Sequence, residues 1–305
     1  MALVVLALGV PRGAIATCIP IATGRDVPTA LILTGGGAKG AYEAGAVAAF
    51  VEGGLPIRLV AGSSAGALSA AMIVAGRADR LEAIWRSLTR EQIYSLRAPT
   101  FFAGLLPGWL TLRALGNAGS LLDSRPLREL ITATVELERI RSSPIGLVVT
   151  ATDLVRRESR VFDNQTVTVD ALVAAAAVPG LFPAVHVNGA VLVDGGLTGR
   201  APVLEALDAV PVDRALVVLS YAPDEHTAPT TIRRSMEEAF ETTMLHQIRR
   251  DVELARLKHP ATDIQLLTPS AALKLRPLEF DAEGISRALA LGRADAQTCL
   301  EALDN

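Results

Sequence analysis

Three short patterns carry the groups that could do chemistry. Gly35-Gly36-Gly37-Ala38-Lys39-Gly40, Gly62-Ser63-Ser64-Ala65-Gly66 and Asp194-Gly195-Gly196 follow one another along the chain, each just after a short apolar run that reads as a strand. The middle pattern is G-x-S-x-G, a sharp strand-to-helix turn whose small residues let the backbone double back and leave the serine hydroxyl exposed. Ser64 is therefore the candidate nucleophile. Cleaving an ester through a serine also needs a proton acceptor and hydrogen-bond donors aimed at the oxygen that becomes negative. The glycines at 35–37 leave backbone N–H groups uncovered by side chains, so the loop from Gly35 to Gly40 is the expected oxyanion hole, with the amide of Ala65 as a further donor. Lys39 adds a positive charge beside it.

A serine of this kind is commonly paired with a histidine, but His186, His226, His246 and His259 are scattered, and none lies in a recognisable site context. Asp194 is better placed. It closes a strand, and Gly195 and Gly196 allow a tight turn and a close approach, so a Ser64–Asp194 dyad is the preferred reading. An aspartate with an ordinary pKa of about 3.9 is a weak base toward a hydroxyl, so burial must raise its pKa or the transition state must share the proton. Alone, an Asp-Gly-Gly would be read as a turn cap; after a glycine loop and a serine elbow it is read as part of a site.

The elements that must hold these groups alternate short apolar runs with longer helical patterns from Thr29 onward, the mark of a mostly parallel sheet covered by helices. Strands are expected at 30–33, 59–61, 145–150, 160–162, 190–193, 215–219 and 264–267. Helices are expected at 41–52, 67–75, 78–88, 125–135, 169–178 and 231–258, with a closing helix through Ile285, Leu289, Ala296, Leu300 and Leu303. Between Pro99 and Gly116, Phe101, Phe102, Leu105, Leu106, Trp109, Leu110 and Leu112 crowd together. That cluster reads equally as a membrane-contacting flap or as a cap completing the core.

The chain has 305 residues, 50% of them hydrophobic, enough for one well-buried domain. A net charge of -3 and a pI near 5.9 do not give the basic field that nucleic-acid binding requires. The two cysteines, Cys18 and Cys299, form no C-x-x-C pair, so no disulfide framework is expected and a reducing compartment fits best. No H-E-x-x-H or calcium-loop spacing occurs, and no metal or other cofactor is expected. The uncharged stretches 59–76 and 171–193 contain the elbow and several Pro and Gly residues, and are read as core, not as membrane spans. Residues 1–28 are read as an N-terminal extension, an extra strand or a weak signal-like segment, and 29–305 as the domain. A cytoplasmic location is expected, peripheral to a membrane; secretion follows if residues 1–16 act as a signal peptide.

These residues carry a resemblance to the patatin-like phospholipases, over about Ala30 to the C-terminus. Besides the three patterns it includes Ser120-Leu121-Leu122-Asp123, Ala151-Thr152-Asp153-Leu154, and A-x-x-x-P-G-x-F-P from Ala174 to Pro183. The resemblance implies a three-layer α/β/α sandwich and metal-free cleavage of lipid acyl esters. It places the nucleophile at Ser64, its partner at Asp194 and the oxyanion hole in the loop of Gly35, Gly36, Gly37, Lys39 and Gly40. One departure is visible: after Gly196 the chain reads Leu-Thr-Gly-Arg-Ala-Pro, where the family commonly carries an asparagine before the proline.

Two rival readings compete with this one. Gly35-x-Gly37-x-x-Gly40 formally satisfies a dinucleotide-binding fingerprint, but the acidic residue wanted about twenty positions on is replaced by Gly62-Ser63-Ser64. An inactive lipid- or protein-binding relative is the other, and the presence of both Ser64 and Asp194 counts against it.

Overall fold

Buried residues that alternate with period two give the central sheet two covered faces. Leu31, Leu33, Val60, Leu147, Val149, Leu216 and Val218 pack into one core cluster, while Ala30, Ile32, Leu59, Ala61, Val148, Ala215 and Val217 pack into another on the opposite side. The structure is a computed structural model that describes residues 26–97, 110, 119–222 and 228–303. In chain order the elements are β1 (Thr29–Leu33), α1 (Gly40–Glu52), β2 (Ile57–Ser63), α2 (Ala65–Val74), α3 (Ala78–Ser87) and the single-turn α4 (Arg90–Ile93). A two-residue pair follows, β3 (Ser95–Leu96) with β4 (Leu122–Asp123), then α5 (Arg125–Thr134), α6 (Leu137–Arg141), β5 (Gly146–Asp153), β6 (Glu158–Phe162) and α7 (Val169–Ala175). The chain continues through β7 (Val185–Val187), β8 (Ala190–Asp194), α8 (Val203–Ala209), β9 (Arg214–Val218), α9 (Ile232–Lys258), β10 (Asp263–Leu267) and α10 (Ala282–Leu303).

The sheet runs β10-β9-β1-β2-β5-β8-β7, with β6 also on β5. From β10 to β5 every pairing is parallel; β6, β7 and β8 add antiparallel pairings at one end. With helices on both faces, this is the expected mostly parallel α/β architecture. Leu81, Trp85, Leu172, Ile285 and Leu289 of the helices on one side join the first cluster, and Val203, Leu207, Ile248 and Val252 on the other side join the second.

Besides the short β3, β4, α4 and α6, two elements have no counterpart among those expected from the sequence, β7 and α8, which are three and seven residues long. The strand expected at 145–150 runs on to Asp153, and its extra residues are the ones that pair with β8. Cys299 is disulfide-bonded, contrary to the expectation from cysteine spacing; the other cysteine of the chain, Cys18, lies outside the described residues. Helix α10, which carries Cys299, lies directly against α1 in the core. Of the N-terminal extension, residues 1–25 fall outside the described part, as does the Phe101–Leu112 segment except Leu110. Among the described residues no helix is long and apolar enough to cross a membrane.

Candidate active site

Strand β5 sets the geometry of the site. Val149 and Thr150 pair with β2 and β6 at once, and Ala151 to Asp153 pair with β6 and β8 at once, so β2 and β8 occupy the same edge of β5 in succession. Ser63 stands opposite Thr150 and Asp194 opposite the next residue, Ala151. Two strands far apart in sequence therefore end at one point, and Ser64 and Asp194 are the residues at their ends.

Ser64 turns the chain from β2 into α2 with φ 55° and ψ -132°, a backbone conformation that a residue with a side chain adopts only at a cost. Its N–H donates to the carbonyl of Ala175 at 3.1 Å, which anchors the turn. Small neighbours are obligatory: a Cβ on Gly62 would stand 2.4 Å from the Gly66 carbonyl oxygen, and one on Gly66 would stand 2.5 Å from that of Leu33. The side chain of Ser64 thus sits at the N-terminal end of α2, where free amides favour negative charge.

Asp194 is 3% exposed. Its N–H donates to the Ala177 carbonyl at 2.9 Å, its carbonyl accepts the Thr152 hydroxyl at 2.9 Å, and its Oδ1 accepts the Gly196 N–H at 2.8 Å. Oδ2 is buried without a hydrogen-bond partner. Burial raises the Asp194 pKa, opposed by the charge of Arg200, the Gly196 N–H and the hydroxyl of Ser64. The Ser64 hydroxyl is thus among the groups that favour the charged form of the carboxylate.

Gly35, Gly36 and Gly37 have φ values of 70°, 126° and 60°, which only glycine adopts in succession without strain. The loop also lies against the elbow, since a Cβ on Gly35 would meet the Ser63 carbonyl oxygen at 2.5 Å and the Ala65 nitrogen at 3.0 Å. Its N–H groups divide into two sets. Gly35 donates to Glu43 Oε1 at 2.8 Å, Ala38 to the Pro277 carbonyl at 2.8 Å, Lys39 to the Gly36 carbonyl at 3.3 Å, and Gly40 back into its own turn. The N–H groups of Gly36 and Gly37 have no acceptor among the described hydrogen bonds, nor does that of Ala65.

Beneath the loop lie buried charged side chains, of which the sequence singled out Lys39 but neither Glu43 nor Arg200. Glu43, fully buried on α1, accepts from Gly35 N–H and from the Thr34 hydroxyl at 2.9 Å; burial pushes its pKa up to about 8. Arg200, 2% exposed, donates from Nη2 to the Tyr221 hydroxyl at 2.7 Å. Lys39 is buried as well, paired with Glu241 of α9 at 2.9 Å and lying over the Tyr221 ring at 4.8 Å. The one sequence signal for Arg200 was the departure in the stretch after Gly196. Glu43 gave none, because an acidic residue in the first turn of a helix is ordinary. The described histidines are not bonded to Ser64 or Asp194: His186 and His246 are exposed, and His259 meets Asp208 at 3.0 Å.

A cleft of about 650 Å³ lies at the other end of the strands, lined by Arg58, Gly146 and Asn164. A smaller one of about 210 Å³, lined by Lys39, Glu241, Lys274 and Arg276, opens on the outer side of the glycine loop.

The pattern of the patatin-like phospholipases matches residues 31–207, more than half of the chain and all three of the segments described above. Uncharacterised NTE family proteins of Mycobacterium bovis and Mycobacterium tuberculosis are 34% identical over 174 residues, which is 57% of this chain and 44% of theirs. The chain thus spans less than half the length of these curated relatives. Among solved structures, VipD from Legionella pneumophila superposes with a TM-score of 0.50 at 15% identity, covering 90% of this chain and 67% of that one, which is a likeness of fold. On the family match, the chain belongs to the patatin-like phospholipases.

Proposed function

We propose that the protein is a lipid acyl hydrolase in which Ser64 is the nucleophile and Asp194 its base. The observation that supports this reading is the buried Asp194 carboxyl, its Oδ2 without a hydrogen-bond partner, brought beside the Ser64 turn by neighbouring register positions on β5. In the first step Ser64 Oγ bonds to the ester carbonyl carbon while its proton passes to Asp194, and the carbonyl oxygen becomes an oxyanion. The free N–H groups of Gly36, Gly37 and Ala65 are the donors available to it; each such donor is worth about two to three powers of ten in turnover. Collapse of the tetrahedral intermediate breaks the ester C–O bond, and the leaving alkoxide takes the proton from Asp194. Water then adds to the acyl-enzyme, giving its proton to Asp194, and the fatty acid departs as that proton returns to Ser64.

A lipid substrate follows from family membership, and the exposed stripe Ile232, Met236 and Phe240 on α9, beside the Glu241 that holds Lys39, gives apolar surface near the loop. The test is hydrolysis of p-nitrophenyl acyl esters and phospholipid vesicles, together with labelling by a fluorescent fluorophosphonate. Ser64→Ala should lose both label and turnover. Asp194→Asn should lower turnover by at least about a hundredfold, the usual worth of a general base. An Asp194→Asn enzyme of near-normal rate would remove the dyad.

A further inference from the structure

We infer that Arg200 is a positioning residue for this reaction, a single buried guanidinium that keeps Asp194 in its carboxylate form and supports the glycine loop from beneath. The inference rests on the Ser64–Asp194 reading and extends it to a third side chain.

The geometry places Arg200 between the two halves of the site. A Cβ at Gly196 would stand 2.9 Å from Asp194 Oδ1 and 3.0 Å from Arg200 Nη1, so carboxylate and cation border the same glycine. A Cβ at Gly36 would stand 3.3 Å from Arg200 Nη2 and 3.2 Å from the Tyr221 hydroxyl, so the other nitrogen lies directly under the loop. Tyr221 holds it there, through the 2.7 Å hydrogen bond and a ring 5.5 Å from the guanidinium carbon. Gly36 and Gly37 are the loop residues whose N–H groups remain free, so the support falls where the donors are.

The charges around Arg200 leave Asp194 as its counter-ion. Facing it are Asp194 after β8, Glu43 from α1, Tyr221 after β9 and Glu241 from α9. Glu241 is engaged by Lys39, and the Tyr221 phenol is kept protonated by burial. Glu43, with its carboxyl pushed up to about 8 by burial, is mainly neutral at pH 7. Asp194 is the remaining carboxyl group, and the charge of Arg200 opposes the burial that raises its pKa. Arg200 Nε is itself buried without a hydrogen-bond partner, and a fully enclosed cation left partly unsatisfied is costly as mere packing. Such a cost is commonly met where a charge tunes a reacting group.

A base must be ionised to act, so activity rises with pH through the Asp194 ionisation, and loss of a neighbouring cation moves that acid limb upward. An opposite charge at close range is worth about one to three pH units. The experiment compares wild type, Arg200→Gln and Arg200→Lys for kcat and KM on a p-nitrophenyl ester from pH 4 to 9, with thermal melts on the same preparations. Arg200→Gln should shift the acid limb upward by about one unit or more, with about a tenfold loss of kcat per unit at pH values below the limb and little change in KM. Arg200→Lys, which keeps the charge, should fall between the two. A folded Arg200→Gln enzyme with the wild-type limb would overturn the inference, whatever its rate. If that variant fails to fold, the equally neutral Arg200→Met takes its place, and an unshifted limb in it would overturn the inference. An active Ser64→Ala or Asp194→Asn control would instead remove the underlying dyad, and so separates the two failures.

Discussion

At Glu43 a carboxyl group sits in full enclosure, with one oxygen used by Gly35 and Thr34 and the other unpartnered. Because its pKa in the folded protein, about 8, is above the ordinary carboxylate value, folding favours the protonated form, chiefly through burial. The penalty is absent in acid, grows as pH rises through the unfolded-state value, and is complete above about 8. Glu43→Gln keeps an acceptor for Gly35 and cannot ionise. Its melting temperature should therefore gain on that of wild type as pH rises from 5 to 8, and parallel curves for the two proteins would show that Glu43 is not the titrating group. Ser64 and Asp194 were legible in the sequence because their backbone turns demand small neighbours, and runs of glycine are conspicuous. Glu43 and Arg200 were not. Their roles depend on what surrounds them in three dimensions, and a single charged residue in a helix or loop is most often a solvated one.

Among the elements, α1 and α10 approach so closely that each has a glycine against the other's backbone. A Cβ at Gly45 would stand 2.0 Å from the Leu289 carbonyl oxygen, and one at Gly292 would stand 2.0 Å from that of Tyr42. The Tyr42 hydroxyl also donates to Asp295 at 3.0 Å, and Asp295 accepts the Ser270 N–H at 2.9 Å. Gly292→Ala should force the helices apart and cost about 1–3 kcal/mol or more, read as a lower denaturation midpoint in urea. An unchanged midpoint would mean that the contact yields freely. The strongly periodic or strongly apolar elements, α9 and the strands β1, β2, β5, β9 and β10, could be read from the sequence since their patterns repeat. The three-residue β7 and the two-turn α8 could not, because three to seven residues hold too few repeats of any period.

For the molecule as a whole, the disulfide at Cys299 is at odds with the reducing compartment that cysteine count alone suggested, since such bonds persist in oxidising surroundings. Protein unfolded without reductant should leave Cys299 unmodified by iodoacetamide in peptide mass spectrometry, and reductant should make it alkylate. Alkylation in both conditions would show a free thiol. The edge of β5 shared by β2 and β8 has a consequence for how such a protein can change over time. Spacing between the proposed nucleophile and base is quantised, because strand register advances only in whole residues of about 3.3 Å. Gradual drift is unavailable to it: a one-residue slip destroys the pair, while lengthening or shortening the connections between strands leaves it untouched. Libraries that vary those connections and hold strand lengths constant are therefore the ones in which new substrate preferences should be found.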